Sequence, residues 1–304
     1  MSAIDHSPAG RLPAAGRTRR ARPGRSRTLA LFGGPGAVWL ALFILIPYAG
    51  ILVFSFWRTD FANLIPAFTL DNLHRAVTDE VVRNVLLRTL WIALAVTAVT
   101  FVVAFPLAYL GAFYVKRKRL FVFLVVAPMW VSYIVRLYSW RLLLGSDGVL
   151  NKALIGAGVI DHPLEFLLFS PWAVILTLSY VYLPFMFISL FSVLDGIDKS
   201  LMRAAGDLYA APARRFARVT IPLSKPGIAA GVMMVFPLAF GDYIAPGLVG
   251  GTGGQMFANL VQNQFGTTFN YPFGAALAVV LLAIVMAVLW LLERWRRVED
   301  VRVF

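Results

Sequence analysis

With 304 residues, 60% of them apolar and only 14% charged, and a mean hydropathy of +0.76, the chain falls outside the range of a soluble globular domain and reads as a polytopic membrane protein. A net charge of +13 would suggest nucleic acid as the partner of a soluble domain, but here the basic residues flank long apolar runs and form no single face, which argues for a lipid membrane and against nucleic acid. The absence of cysteine excludes disulfides, thiolate metal sites and cysteine nucleophiles.

Residues 1–28 are rich in Pro, Gly, Ala and Arg with few large apolar side chains, the composition of a disordered tail. The first uncharged run, Gly33–Trp57, follows it. An Arg-rich start ahead of an apolar run is also the pattern of a secretory signal, but this run is long and no small-residue cleavage site follows, so an uncleaved first span is expected. Residues 58–88 predict an outer loop with one or two interfacial helices. A second span is expected over Thr89–Val115, and a third over Leu120–Trp140, which carries Arg136 near its end. After an outer loop at 141–170, with a short helix between turns, come a fourth span over Phe166–Leu194 and a basic stretch at 195–225. The fifth span begins at Gly227 and holds one acid, Asp242; a glycine-rich outer loop at 249–271 leads to the sixth, Tyr271–Leu292, and a short tail at 293–304. The expected fold is all-α, a bundle of six transmembrane helices over residues 29–292.

Orientation follows from the basic residues, which concentrate in cytoplasmic loops. The tail up to Arg27, the run Lys116–Arg119, the stretch 195–225 and the segment after Leu292 hold 21 of the 28 Lys and Arg residues. Both termini are therefore expected in the cytoplasm. Prolines at Pro47, Pro106, Pro128, Pro184, Pro237 and Pro246 lie in or beside the spans, and each removes a backbone donor and favours a kink or break. Six of them suit a bundle that moves better than a rigid anchor.

Catalytic signatures are missing. There is no G-x-x-x-x-G-K-[ST] phosphate loop and no H-E-x-x-H, and His6, His74 and His162 are scattered through tail and loops. The chain does not read as an enzyme, and no cofactor or metal is expected.

Two features remain. In the basic stretch "LMRAAGDLYAAPARRFARVTIPLSKPGI", Leu201, Ala204, Ala205, Leu208 and Tyr209 recur at helical spacing behind Ser200 as N-cap. A second short helix opens with Pro212, carries Phe216, Val219 and Thr220 on one stripe, and ends at Ile221 and Pro222. Such a pair of helices suits either docking to a protein or resting on anionic lipid. The other feature is Asp242, a carboxylate inside a span that must face the bundle interior, a wet cavity or a cation.

The basic stretch resembles the EAA loop of binding-protein-dependent ABC importer permeases: Ala204, Ala205, Ala210, Phe216, Val219, Ile221 and Pro222 fall at matching spacing, while the motif's glutamate and glycine positions hold Arg203 and Tyr209. Residues 131–160, 182–201 and 241–251 are similar to the PotB-like permeases of spermidine and putrescine importers. The resemblance implies a type I, MetI-like permease in the bacterial inner membrane. It implies a second, PotC-like permease subunit, an ABC ATPase dimer that does the hydrolysis, and a periplasmic substrate-binding protein as partners. It also implies ATPase coupling through residues 195–225, with Leu201, Arg203, Ala204, Ala205, Leu208, Tyr209, Ala210, Phe216, Ile221 and Pro222 at the contact. For a polyamine, Asp242 with Tyr243, Trp130, Tyr133 and Tyr138 is the candidate pathway by charge and cation–π contact, the alternative for Asp242 being a structural pair with Arg136. Other solutes of the same importer class are ferric ion, thiamine, an opine or an anion. A stand-alone secondary transporter predicts coupling-ion residues and an inverted repeat, of which the sequence offers one acid and no repeat.

Overall fold

In the computed structural model, residues 34–60, 63–164, 166–198, 200 and 212–300 are described. The chain divides into two units, 1–50 and 51–304. Helix α1 spans Gly34–Phe54. Within it, the Ile46 N–H bonds five residues back to the Ala41 carbonyl, a wider turn placed immediately before Pro47.

The second unit takes in the last residues of α1 and then a small hairpin, β1 (Arg58–Asp60) antiparallel to β2 (Asn63–Ile65). Helix α2 (Asp71–Thr78) follows, and Asn72 Nδ2 donates to the carbonyls of Ser55 and Trp57 at 3.2 and 2.7 Å, closing the loop onto the end of α1. Helix α3 (Glu80–Phe113) is capped by Asp79, whose carboxylate accepts from the N–H of Val81 and Val82. The second span thus starts at Glu80, nine residues ahead of the expected Thr89, because this cap begins a helix that the later apolar run simply continues. Pro106 lies inside α3 without ending it.

The third expected span is broken. Helix α4 (Lys118–Val126) tightens into a 3₁₀ turn at Ala127–Trp130, and helix α5 (Tyr133–Leu144) leaves at 89° to it. Pro128 lacks the N–H that would continue α4, and Val131 has extended backbone. The described residues therefore hold five continuous helices able to cross a membrane, with the bent pair as a sixth.

Helix α6 (Val149–Gly156) lies in the loop between the third and fourth spans, as its turn–helix–turn pattern predicts. Helix α7 (Pro171–Asp195) is the central element, packed against α3 and against α8 (Phe216–Phe240). Ile92, Leu178, Phe187, Leu190, Phe236 and Phe240 are fully buried between these three helices. Gly231 permits the close approach of α8 to α7: a Cβ there would come within 2.3 Å of the Met186 sulfur. Faces turned away from this core expose Leu94, Val102, Leu110, Leu176 and Ile188, which calls for lipid or another apolar surface.

The expected stop at Ile221 and Pro222 does not occur. A helical turn at Pro212–Arg215 runs through a π turn at Phe216–Thr220 directly into the rest of α8. The Ile221 N–H reaches back five residues to the Phe216 carbonyl, and this wider turn accommodates Pro222 where an ordinary helix would end.

Beyond α8 lie a π turn at Pro246–Gly250, helix α9 (Phe257–Gly266) and helix α10 (Tyr271–Asp300). The segment that leads into α9 is pinned to α3. Arg88 donates to the carbonyls of Thr252 and Gly253, each at 3.0 Å, and the buried Thr89 hydroxyl accepts from the Phe257 N–H at 2.7 Å while donating to the Val85 carbonyl. Replacing Thr89 by valine keeps the shape but orphans the first N–H of α9. A loss of about 1–3 kcal/mol is expected, read as a lowered Tm of the purified protein; an unchanged Tm would show that the hydroxyl is not what anchors α9.

Candidate functional site

Helix α8 ends at Phe240, the chain turns at Gly241, and a new helical turn starts at Ile244. Asp242 therefore stands in a break of the fifth span and not inside a continuous helix. Its Oδ1 caps the new turn, accepting from the N–H of Ile244 at 2.9 Å and of Ala245 at 3.0 Å. Its Oδ2 accepts from two phenols, Tyr182 of α7 at 2.7 Å and Tyr133 at the start of α5. One carboxylate thus joins three elements: the break in span five, the first residue of the helix beyond the break in span three, and the central helix α7. The residue is 8% exposed, and these four bonds are what make such burial of a charge tolerable.

Beside the carboxylate lies a cavity of about 380 Å³ lined by Tyr133, Arg136, Tyr182, Phe185, Leu238 and Tyr243, among others. Arg136 makes no ion pair with Asp242 or with any other carboxylate among the described residues. Its guanidinium carbon lies 5.8 Å from the centroid of the Tyr133 ring, and its Nε is buried with no acceptor among the described residues. The neighbouring backbone is held from outside, where Asn259 of α9 donates to the Tyr243 carbonyl at 2.7 Å and accepts from the Met256 N–H at 3.0 Å.

Of the aromatic residues expected near Asp242, the structure brings Tyr133 and Tyr243 to the cavity. Trp130 lies elsewhere, on a second cavity of about 560 Å³ with Lys118, Arg119 and Asp195, and Tyr138 is half exposed and lines neither. Sequence reasoning missed Tyr182. The signal was available: a phenol in a span without other charges needs an acceptor, and Asp242 is the one carboxylate the spans offer.

In the basic stretch expected to contact the ATPase, Leu201, Arg203, Ala204, Ala205, Leu208, Tyr209 and Ala210 lie outside the described residues, as does the tail 1–28. Phe216 is described: its ring meets those of Phe105 and Tyr109 edge-on, each at 5.7 Å between centroids, seating the start of α8 against α3. Lys118 of α4 pairs with Asp195 at the end of α7 on the same side of the bundle.

Broken spans meeting at an open, largely apolar cavity that holds one carboxylate and one guanidinium are what a membrane subunit lining a transport pathway would present. The chain belongs to the family of binding-protein-dependent transport system inner membrane components, whose model matches residues 37–298. It is 38% identical over 260 residues to the spermidine/putrescine transport system permease protein PotB of Escherichia coli (strain K12), an alignment covering 85% of this chain and 93% of that one. It is also 35% identical over 298 residues to the inner membrane ABC transporter permease protein YdcU of the same organism, covering 90% and 95%. Among solved structures, a chain of the bacterial alginate ABC transporter, crystallised in complex with an alginate pentasaccharide-bound periplasmic protein, superposes with a TM-score of 0.72 over 90% of this chain and 95% of that one at 16% identity, which establishes the shared fold.

The protein is thus a multi-pass inner-membrane permease subunit of an ABC importer. It has no ATPase site of its own and works with ATPase and periplasmic binding-protein partners.

Proposed function

We propose that this permease imports a polyamine of the spermidine and putrescine class, and that its solute passes the cavity at Asp242. The observation that carries this reading is a carboxylate held in a break between spans, beside a cavity walled by the aromatic rings of Tyr133, Tyr182 and Tyr243, a combination suited to an ammonium group. The spermidine/putrescine specificity named for PotB, at 38% identity, supports the same solute class.

An arriving ammonium competes with the phenols for Oδ2. Tyr182 has a second acceptor in the Leu238 carbonyl at 3.2 Å, so its hydroxyl can leave the carboxylate without being orphaned. Release of the phenols also loosens the tie between the break in span three and the break in span five, which joins occupancy of the cavity to movement of α5.

In this reading residues 29–292 are the permease domain, a second PotC-like permease completes the pathway, and the loop at 195–225 docks on the ATPase dimer, with Phe216 seating it on the bundle. The grouping of basic residues on one side supports a cytoplasmic position for both termini.

The test is import by the reconstituted transporter, this chain with its partner permease, ATPases and binding protein, using radiolabelled spermidine and putrescine against thiamine, ferric ion, an opine and sulfate. Saturable, ATP-dependent polyamine uptake is expected. Uptake of another of these solutes in its place would overturn the polyamine assignment while leaving the importer class untouched.

A further inference from the structure

The cavity beside Asp242 contains a resident cation whose role the importer reading does not explain. Arg136 projects from the first turn of α5 into the space shared with the carboxylate, yet pairs with no acid among the described residues. Its Nε is buried without an acceptor among those residues, and its guanidinium leans on the Tyr133 ring. Arg136 is half-buried, and holding its guanidinium unpaired, with the Nε shut off from water, is unfavourable for folding. Asp242, by contrast, is satisfied by two backbone N–H groups and two phenols. For a small ion in the cavity the field is therefore that of one screened, hydrogen-bonded anion and one exposed cationic donor.

We propose that Arg136 is an electrostatic guard that keeps small inorganic cations out of the translocation cavity. This rests on the proposal that the solute passes that cavity. A potassium, sodium or rubidium ion meets the guanidinium directly, because it is compact and must give up water to approach Oδ2 between the two phenols. A long, flexible polycation can place one ammonium on Oδ2 and its other charges away from Arg136. The same residue thereby separates an organic cation from the inorganic ones present in large excess, without contacting the solute's recognition groups. It is a specificity-determining residue, and its action depends on charge and not on shape.

The experiment uses the complete transporter in proteoliposomes during ATP turnover with loaded binding protein, reading rubidium efflux and polyamine import together. Arg136→Gln is expected to raise rubidium efflux roughly tenfold or more over the parent, while Arg136→Lys stays at the parental level. Because the chain has no cysteine, Arg136→Cys in a transporter whose other subunits are also cysteine-free adds a test within a single assembled preparation. Attaching a positively charged aminoethyl disulfide should suppress its leak, and attaching a neutral methyl disulfide should not. Parental efflux in Arg136→Gln with import reduced would show a solute contact and overturn the guard. Equal effects of the two thiol reagents would show that bulk matters and overturn it as well, as would assembly lost in both neutral variants and regained in Arg136→Lys, which would make the charge structural. If the parent imports no polyamine but the leak pattern holds, the solute assignment fails and the guard stands; if polyamine enters and no variant leaks, the guard alone fails.

Discussion

Asp242→Leu is expected to destabilise the permease by about 3–5 kcal/mol, the combined loss of a helix cap and of the acceptor for two phenols, and to prevent its recovery in the assembled transporter. The leucine fills the volume but leaves the N–H groups of Ile244 and Ala245 and the hydroxyls of Tyr133 and Tyr182 facing an apolar side chain. Asp242→Asn should behave quite differently. Its carbonyl oxygen still caps Ile244 and Ala245, its amide donates to the phenol oxygens, and Tyr182 turns to Leu238. Folding and assembly should survive, but the charge is gone, and a charge-assisted bond to an ammonium is worth about 1.5–3 kcal/mol. Polyamine uptake should therefore fall roughly 10- to 100-fold. Unchanged uptake and apparent affinity in Asp242→Asn would sink the contact reading and leave Asp242 as the knot that holds three helices together.

Phe216→Ala should uncouple the transporter. The ring sits in the π turn at the start of α8, with Phe105 and Tyr109 of α3 edge-on to it. It is half-buried, so truncation is expected to cost about 2 kcal/mol, below the range for a fully buried phenylalanine. The larger effect is mechanical. If the segment before α8 receives motion from the ATPases, that motion reaches the bundle through this aromatic contact. Stimulation of ATP hydrolysis by loaded binding protein should drop about tenfold, the size of effect that a 1.4 kcal/mol coupling carries, while Phe216→Leu keeps most of it. Full stimulation in Phe216→Ala would mean that coupling enters by another path, for instance through the Lys118–Asp195 pair joining α4 to α7.

The unevenness of what could be read in advance has physical causes. Spans are legible because lipid forces every backbone group into internal hydrogen bonds, so long uncharged runs must be helical. Helix starts are less so: Asp79 begins α3 well outside the apolar run, since a cap acts through local hydrogen bonds and is indifferent to hydropathy. Prolines were legible as a class but not individually. Pro106 and Pro184 sit inside continuous helices and Pro222 follows a π turn, whereas Pro128 coincides with the 89° break. The outcome depends on whether neighbouring backbone finds other partners.

The site divides in the same way. That Asp242 matters follows from the cost of a carboxylate among apolar residues, and this needs no structure. That its partners are Tyr133 and Tyr182, 109 and 60 residues away, and that Arg136 stands close by without pairing, follows only from the crossing of α5, α7 and α8. By itself the sequence determined the membrane class, the rough places of the spans, the segments in which basic residues gather and the one acid that had to be accommodated, because each is a free energy of transfer between water and lipid and is local to the chain. Tertiary structure decided where spans break, which phenols hold the acid and which cation shares its cavity. Those depend on contacts between helices distant in sequence, and a hydrogen bond exists only where geometry brings donor and acceptor together.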